Sequence, residues 1–268
     1  MFITNNYETI TFEVKEGIGH LTINREKKLN ALNSTVLSEL KTLLNHLIEE
    51  DKGQTVKGVL VTGAGEKAFI AGADIAQMQD MNVEEAREFG ALGQEVTLLF
   101  ERLPMPVIAC VNGFALGGGC EMAMACDFIY ATETAVFGQP EVKLGLIPGF
   151  GGTQRLSKVV GRNRAKEIIY TGRNVKAEEA LRIGLAVKLF ASKDEMIAGA
   201  LKTFSFMTTN SPNAIKISKQ VMNGGNDLTV EKGLGLELDQ FAAVFSSEDM
   251  KEGTKAFVEK RAPNFTGN

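Results

Sequence analysis

The chain has only two histidines, His20 and His46, among its 268 residues. His20 falls in an alternating strand pattern, and His46 lies off the apolar stripe of a helix, where exposure is expected. A histidine-dependent triad or a histidine metal site therefore has almost nothing to use. Cysteine is scarce too: Cys110, Cys120 and Cys126 share one apolar segment without C-x-x-C spacing, and buried reduced thiols are expected rather than a zinc site. No apolar run reaches the roughly 18 residues of a membrane-spanning helix. The opening MFITNNYETITFEV carries no basic leader ahead of an apolar stretch, so no membrane association and a cytoplasmic location are expected. Charge of one sign is also missing. With 29 Lys and Arg interspersed among 33 Asp and Glu, no basic field advertises nucleic acid, and an anionic ligand must find local cations. The G-x-x-x-x-G-K-[ST] phosphate loop and the G-x-S-x-G nucleophile elbow are absent. Carboxylates and backbone amides are left to carry any chemistry.

At 44% hydrophobic the chain can bury a sizeable core. Ile10, Phe12 and Val14 alternate ahead of Glu16-Gly17, and a second run follows through Leu21 and Ile23. That is a hairpin pattern, with Gly19-His20 read as a bulge. From Ser34, the residues Leu37, Leu40, Leu43, Leu44, Leu47 and Ile48 recur at three and four, an amphipathic helix. A compact apolar strand follows at 56–63, then a glycine-rich loop and a helix opened by Asn82, with Glu85 three residues on as a capping box. Its stripe Ala86, Phe89, Val96, Leu99 and Leu103 is predicted to face inward. The order repeats with a strand at 106–113, glycines and a helix carrying Glu121, and a fourth unit begins at DFIYATETAVFGQP. This alternation predicts an α/β fold of similar successive units.

Beyond about residue 193 only helical patterns remain. Ser211-Pro212 marks a start, Asn223-Gly224-Gly225 a stop, and Pro263 closes the last helix. The chain thus divides into a core, 1–192, and a helical region, 193–268. The apolar faces of that region (Leu234, Leu238, Phe241 and Phe245; Phe257 and Val258) must pack on the core or on another subunit.

GAGEKA, residues 63–68, matches the dinucleotide fingerprint G-x-G-x-x-A, but that fingerprint needs a helix starting inside it, and apolar loop follows instead. NGFALGGGCEMAMACDF, residues 112–128, is more informative. A glycine run entering a helix leaves unobstructed N–H groups where an oxyanion can sit, Gly118 foremost. FIAGADI has the same texture, and two such donors could share one oxygen. Glu121 follows the glycines in uniformly apolar company (Cys120, Met122, Ala123, Met124), unlike a solvated capping residue, and a carboxyl in a dry pocket has a raised pKa suited to proton transfer. Glu141, after Pro140 and ahead of another glycine-rich loop, is the second candidate. Asp127 reads as a partner for nearby backbone groups.

Taken together, the chain resembles the enoyl-CoA hydratase (crotonase) family over nearly its whole length. The resemblance is carried by NREKKLNAL (24–32), KAFIAGADIAQM (67–78), LPMPVIACVNGFALGGGCEMAMACD (103–127), FGQPEVKLGLIPGFGGTQRL (137–156), TGRNVKAEEALRIGLA (171–186) and EDMKEGTKAFVEKR (248–261). It implies a spiral of repeated β-β-α turns with a C-terminal helical trimerisation region, assembled as hexamers that are dimers of trimers. It implies that the Ala73 and Gly118 N–H groups bind a thioester oxygen and that Glu121 and Glu141 are the catalytic acids. The implied reaction is reversible addition of water across the 2,3 double bond of a short-chain 2-enoyl-CoA. Glu121 activates the water and Glu141 delivers the proton to C2. The coenzyme A part is expected beside Ala73, Asp74, Ile75, Ala76 and the segment with Lys28, while Phe257 and Lys260 approach from a neighbouring subunit. Coenzyme A enters as part of the substrate, with no separate cofactor and no metal. Retention of both acids counts against an isomerase of the same fold, which needs one base, and against a binding module without chemistry. Chain-length preference is left to the packing of Met78, Met81, Phe89 and Phe150.

Overall fold

The structure, a computed structural model, describes residues 7–268. Residues 1–6, part of the stretch read for a leader, lie outside the described residues. Strands β1 (Ile10–Lys15) and β2 (Ile18–Ile23) form the expected hairpin. Glu16 and Gly17 turn the chain at φ 50° and 79°, the left-handed pair that a two-residue hairpin loop needs. The register runs unbroken from Ile10 opposite Ile23 to Lys15 opposite Ile18, so the bulge predicted at Gly19-His20 is not there. Gly19 has a different reason: a Cβ at that position would come within 2.6 Å of the Phe12 ring.

Asn33 accepts the Val36 N–H and caps α1 (Ser34–His46), whose inner face is Val36, Leu37, Leu40, Leu43 and Leu44. The helix passes into a π turn at Leu47–Asp51. His46, expected to be exposed, is half-buried with Nδ1 3.2 Å from Glu50 Oε2.

Four turns of a spiral follow. The first is β3 (Gly58–Gly63), β4 (Ala68–Ile70), α2 (Ile75–Met78) and α3 (Val83–Arg102). The second is β5 (Val107–Val111), β6 (Phe114–Leu116) and α4 (Gly118–Ala125). The third is β7 (Phe128–Thr132), β8 (Val136–Gly138), a 3-10 turn at Glu141–Leu144, α5 (Gly152–Val160) and α6 (Arg162–Thr171). The last runs β9 (Asn174–Lys176), α7 (Ala177–Arg182) and β10 (Lys188–Phe190). Each turn gives one strand to a six-stranded sheet, β1-β2-β3-β5-β7-β10, and one to a four-stranded sheet, β4-β6-β8-β9. Among the described residues only the edge strands β1 and β9 run antiparallel. This is the expected β-β-α spiral.

The core lies between the sheets and helices α1, α3 and α4, around Phe69, Phe100 and Phe137; burying each such side chain is worth about 1.5–3 kcal/mol. No helix starts within residues 63–68; the loop runs into β4 and is held by Lys193, whose Nζ donates to the Gly63 and Gly65 carbonyls at 2.8 and 2.7 Å. The dinucleotide fingerprint is therefore only a sequence coincidence. In α3 the Asn82–Glu85 capping box forms, and Phe89, Val96 and Leu99 are buried as predicted. Ala86 is exposed instead, facing the cavity described below.

Ser192 caps α8 (Lys193–Met207), which lays Met196, Ala200 and Phe204 against Leu60, Ile108 and Cys110 of the large sheet. Then come α9 (Pro212–Gly225), α10 (Val230–Val244) and α11 (Glu248–Glu259). Ser211 caps α9 with Pro212 in its first turn, as expected. α9 ends at Gly225, within the expected stop Asn223-Gly224-Gly225, although no residue there turns left-handed. A Cβ on Gly224 would lie 3.3 Å from Leu236 of α10, so the glycine permits close helix approach. Pro263 does not end α11: Lys260 does, at φ 56°, with its N–H closing onto the Ala256 and Phe257 carbonyls. Among the described residues no helix is long and apolar enough to cross a membrane.

Candidate active site

The turn from β6 into α4 places the first functional groups. Gly117 has φ 49° and ψ −122°, a combination that only glycine holds without strain. Gly119 backs onto the end of β4, where any Cβ would overlap the Ile70 carbonyl oxygen. The helix thus begins in contact with the smaller sheet, and Glu121 in its first turn is carried inward, to 1% exposure. Gly118 is the first residue of α4, so its N–H has no acceptor within the helix.

Ala73 approaches from the previous spiral turn. The Leu32 N–H donates to the Gly72 carbonyl at 2.8 Å and the Asp74 N–H to the Leu32 carbonyl at 2.7 Å. A parallel bridge of this kind leaves the intervening residue's own N–H directed away from its partner strand. Ala73 and Gly118 line the same cavity of about 380 Å³.

Glu121 Oε1 accepts two backbone hydrogen bonds, from Phe150 N–H at 2.9 Å and Gly152 N–H at 2.6 Å. Burial pushes its carboxyl up to about 7, against the pull of those two N–H groups and with a further push from Glu141. Near neutral pH it can therefore both hold and release a proton. Glu141 opens the 3-10 turn after Pro140; it is half-buried, and burial raises its pKa as well. A Cβ on Gly117 would stand 2.8 Å from Glu141 Oε1, so the carboxyl lies against the turn that presents the Gly118 N–H. Gln139 is fully buried beside it. The amide orientation that satisfies both its ends turns the nitrogen towards Glu141 Oε1 and Oε2, at 3.0 and 3.3 Å.

The loop bearing Phe150 is fastened to α3. Gln94 Nε2 donates to the Gly149 carbonyl at 2.9 Å, and the Phe150 ring meets Phe89 edge-on at 5.4 Å. The ring fills the space that a Cβ on Gly93 would occupy. Gly93→Val is accordingly expected to destabilise the fold by about 1–3 kcal/mol through overpacking. Urea unfolding checks this, and an unchanged midpoint would mean that Phe150 is not confined.

The cavity joins Ala73, Gly118, Glu121 and Glu141. Its walls are otherwise apolar, with Ile75, Met78, Phe89, Leu144, Leu146, Ile147 and Phe150, and Ala86 and Gly90 of α3 leave room between them. Asp74 does not line it; its carboxylate pairs with Arg25 at 3.0 Å, and Arg25 also donates to the Ala31 carbonyl at 2.5 Å, stitching this loop to the segment before α1. Ala76 is exposed and outside the lining. Lys28 is exposed in a 3-10 turn at Glu26–Lys28. Phe257 and Lys260 are exposed at the end of α11, also outside the lining. The Phe150 and Gly152 amides, Gln139 and Arg25 were not singled out from the sequence. The one available signal was the second glycine run, GFGG, at 149–152.

Cys110, Cys120 and Cys126 are buried and unpaired, as expected, and burial pushes the Cys110 and Cys120 thiols up to about 12. Asp127 accepts the Val107 N–H at 2.6 Å, the backbone role expected of it, and pairs with Lys219 at 3.1 Å. Among the described residues no group of three or more His, Cys, Asp or Glu could hold a metal ion.

Residues 13–268 match the enoyl-CoA hydratase/isomerase family. The chain belongs to that family. A short-chain-enoyl-CoA hydratase of Clostridium acetobutylicum is 50% identical over 92% of this chain and 94% of its own length. A crotonyl-CoA hydratase of Syntrophomonas wolfei is 46% identical over 97% and 98%. The crystal structure of an enoyl-CoA hydratase from Bacillus anthracis superposes with a TM-score of 0.92 at 37% identity, covering 97% of this chain and 100% of that one. The two-sheet spiral is thus the crotonase fold, and within this enoyl-CoA hydratase/isomerase family member one cavity is lined by the buried Glu121, the half-buried Glu141, Ala73 and Gly118.

Proposed function

We propose that this chain is a hydro-lyase that adds water reversibly across the 2,3 double bond of a short-chain 2-enoyl-CoA, giving a 3-hydroxyacyl-CoA. One observation carries the reading: Ala73, Gly118, Glu121 and Glu141 share a single, largely apolar cavity. The names of the relatives at 50% and 46% identity agree with it.

The thioester oxygen accepts from the Ala73 and Gly118 N–H groups, which stabilise the negative charge that builds there as water adds; one such donor is typically worth about 2.7–4 kcal/mol. Glu121, ionised and steadied by the Phe150 and Gly152 amides, takes a proton from the water as its oxygen bonds to C3. Glu141, protonated, gives its proton to C2. One H and one OH have been added, and the acids have exchanged states, so a proton must return from Glu121 to Glu141 through solvent before the next turnover. In this reading the two carboxyls share one water and titrate as a coupled pair. Coenzyme A is part of the substrate, and no separate cofactor enters any step.

The assembly is a trimer paired into a hexamer. Supporting this, α10 buries none of its residues and presents Leu234, Leu238, Phe241 and Phe245 to solvent, a contiguous apolar face of the kind that marks a subunit contact. In that assembly Phe257 and Lys260 serve a neighbour's substrate, and Lys28 with the 73–76 loop receives the nucleotide end. Cytoplasmic location belongs to the same reading.

The test is direct. Purified protein mixed with crotonyl-CoA is expected to bleach the conjugated thioester and yield 3-hydroxybutyryl-CoA, with the rate falling as the acyl chain lengthens. Binding without any bleaching across the chain-length series would defeat the reading.

A further inference from the structure

We propose that Arg155 is a positioning residue for Glu121, holding the 150–152 turn in the orientation that aims two N–H groups at one carboxylate oxygen. This rests on the reading of Glu121 as the acid that activates water.

Arg155 lies in the first turn of α5, with its side chain only 14% exposed. Its Nη1 donates to the Phe150 carbonyl at 3.0 Å, and its Nε donates to Glu101 Oε1 of α3 at 2.7 Å. The guanidinium sits so close over Gly151, itself at φ 109°, that any Cβ there would overlap it. Thr97 Oγ1 adds a longer bond to the same Phe150 carbonyl at 3.3 Å. One face of the turn is thereby held through a carbonyl from α3 and α5. The opposite face delivers the Phe150 and Gly152 N–H groups to Glu121 Oε1. Without that anchor the 150–152 backbone can shift as a unit, which would misdirect the two N–H groups on either side of the anchored carbonyl.

Arg155 also supplies a positive charge that favours the Glu121 carboxylate. The titratable groups around Glu121 are Glu141 from the 3-10 turn, Arg155 from α5, the neutral Cys120 thiol on its own helix, and Glu101 of α3 behind the guanidinium. Losing the Arg155 charge and losing well-aimed N–H donors both disfavour the Glu121 carboxylate, so the two effects have the same sign.

Arg155→Gln, Arg155→Lys and Glu101→Gln are assayed for crotonyl-CoA hydration across pH. In parallel, Glu121 is titrated by carbon-13 NMR in glutamate-labelled protein, its resonance identified by its absence from Glu121→Gln. Arg155→Gln is expected to keep KM within about twofold and to lose kcat by about tenfold or more. Its Glu121 is expected to titrate about one pH unit higher than in the unaltered protein. Arg155→Lys should restore both the titration and kcat only in part, since an ammonium returns the charge but cannot bridge Phe150 and Glu101 in the same planar geometry. Glu101→Gln should give a smaller loss in the same direction. An unchanged kcat and titration in folded Arg155→Gln overturns the proposal, as does a defect confined to KM or melting temperature. Should Arg155→Gln not fold, unaltered kcat and titration in both other variants overturn it. No hydration by the unaltered protein defeats the functional reading instead, while the Glu121 titration still tests the clamp.

Discussion

Glu121→Gln and Glu141→Gln are each expected to lower kcat for crotonyl-CoA hydration by about 10²–10⁴-fold while leaving KM nearly unchanged. A carboxamide has nearly the shape of a carboxyl, so the cavity and its apolar walls survive. In Glu121→Gln the carboxamide still offers an oxygen to the Phe150 and Gly152 amides, and in Glu141→Gln it still lies against the Gly117 turn. What disappears is the ability to take a proton from water or to give one to C2. Because the proposed mechanism uses both events in one addition, the double variant should lose little beyond the worse single one. Steady-state rates with all three proteins measure this. Near-normal turnover in either single variant would remove that residue from the chemistry.

The second large effect concerns stability. Glu121→Gln is expected to be more stable than the unaltered protein above about pH 7, by on the order of 3 kcal/mol. Burial raises the Glu121 pKa from 4.5 to about 7 in the folded chain. A carboxyl whose folded pKa stands above its unfolded value contributes its stability below the unfolded value and loses it as pH rises through the folded one. The unaltered protein therefore weakens from about pH 4.5 upward through 7, while the glutamine variant feels no such penalty. Ionisable groups that do not interact with Glu121 are common to both and cancel. Urea midpoints near pH 8 and pH 4.5 check the sign, with the gap open at the first and closed at the second. A less stable variant near pH 8 would mean that the two N–H donors outweigh burial. The expected result is a stability sacrificed at a site that needs a dry acid, a recurrent trade in enzymes.

Local signals in the sequence proved dependable. Asn82 and Glu85 form their capping box, Glu16-Gly17 makes the hairpin turn, and Ser211-Pro212 starts α9. These depend on residues a few positions apart, whose geometry is settled by short-range sterics and hydrogen bonds. The apolar company of Glu121 likewise announced its burial. Glycines were harder to read, because a glycine marks either a chain that must turn or a neighbour that must come close. Gly19, Gly93 and Gly224 are of the second kind, making room for Phe12, Phe150 and Leu236. Those neighbours are set by tertiary packing, so a bulge was expected at Gly19-His20 where none occurs. The support of Glu121 was hidden for a similar reason. Its donors lie 29 and 31 residues along the chain and act through backbone N–H groups, which have no side-chain identity to recognise. Arg155 gave no sign of its partner either, since Phe150 offers only a carbonyl.

The central claim is that peptide hydrogens from Ala73 and Gly118 polarise a thioester carbonyl above the two acids. Isotope-edited infrared difference spectroscopy of crotonyl-CoA carrying a carbon-13 thioester carbonyl, bound to the slow Glu141→Gln variant, measures that polarisation directly. The account predicts a bound carbonyl band shifted clearly to lower frequency than in water. A band at or above the free position would show that no donors grip the oxygen and would contradict it.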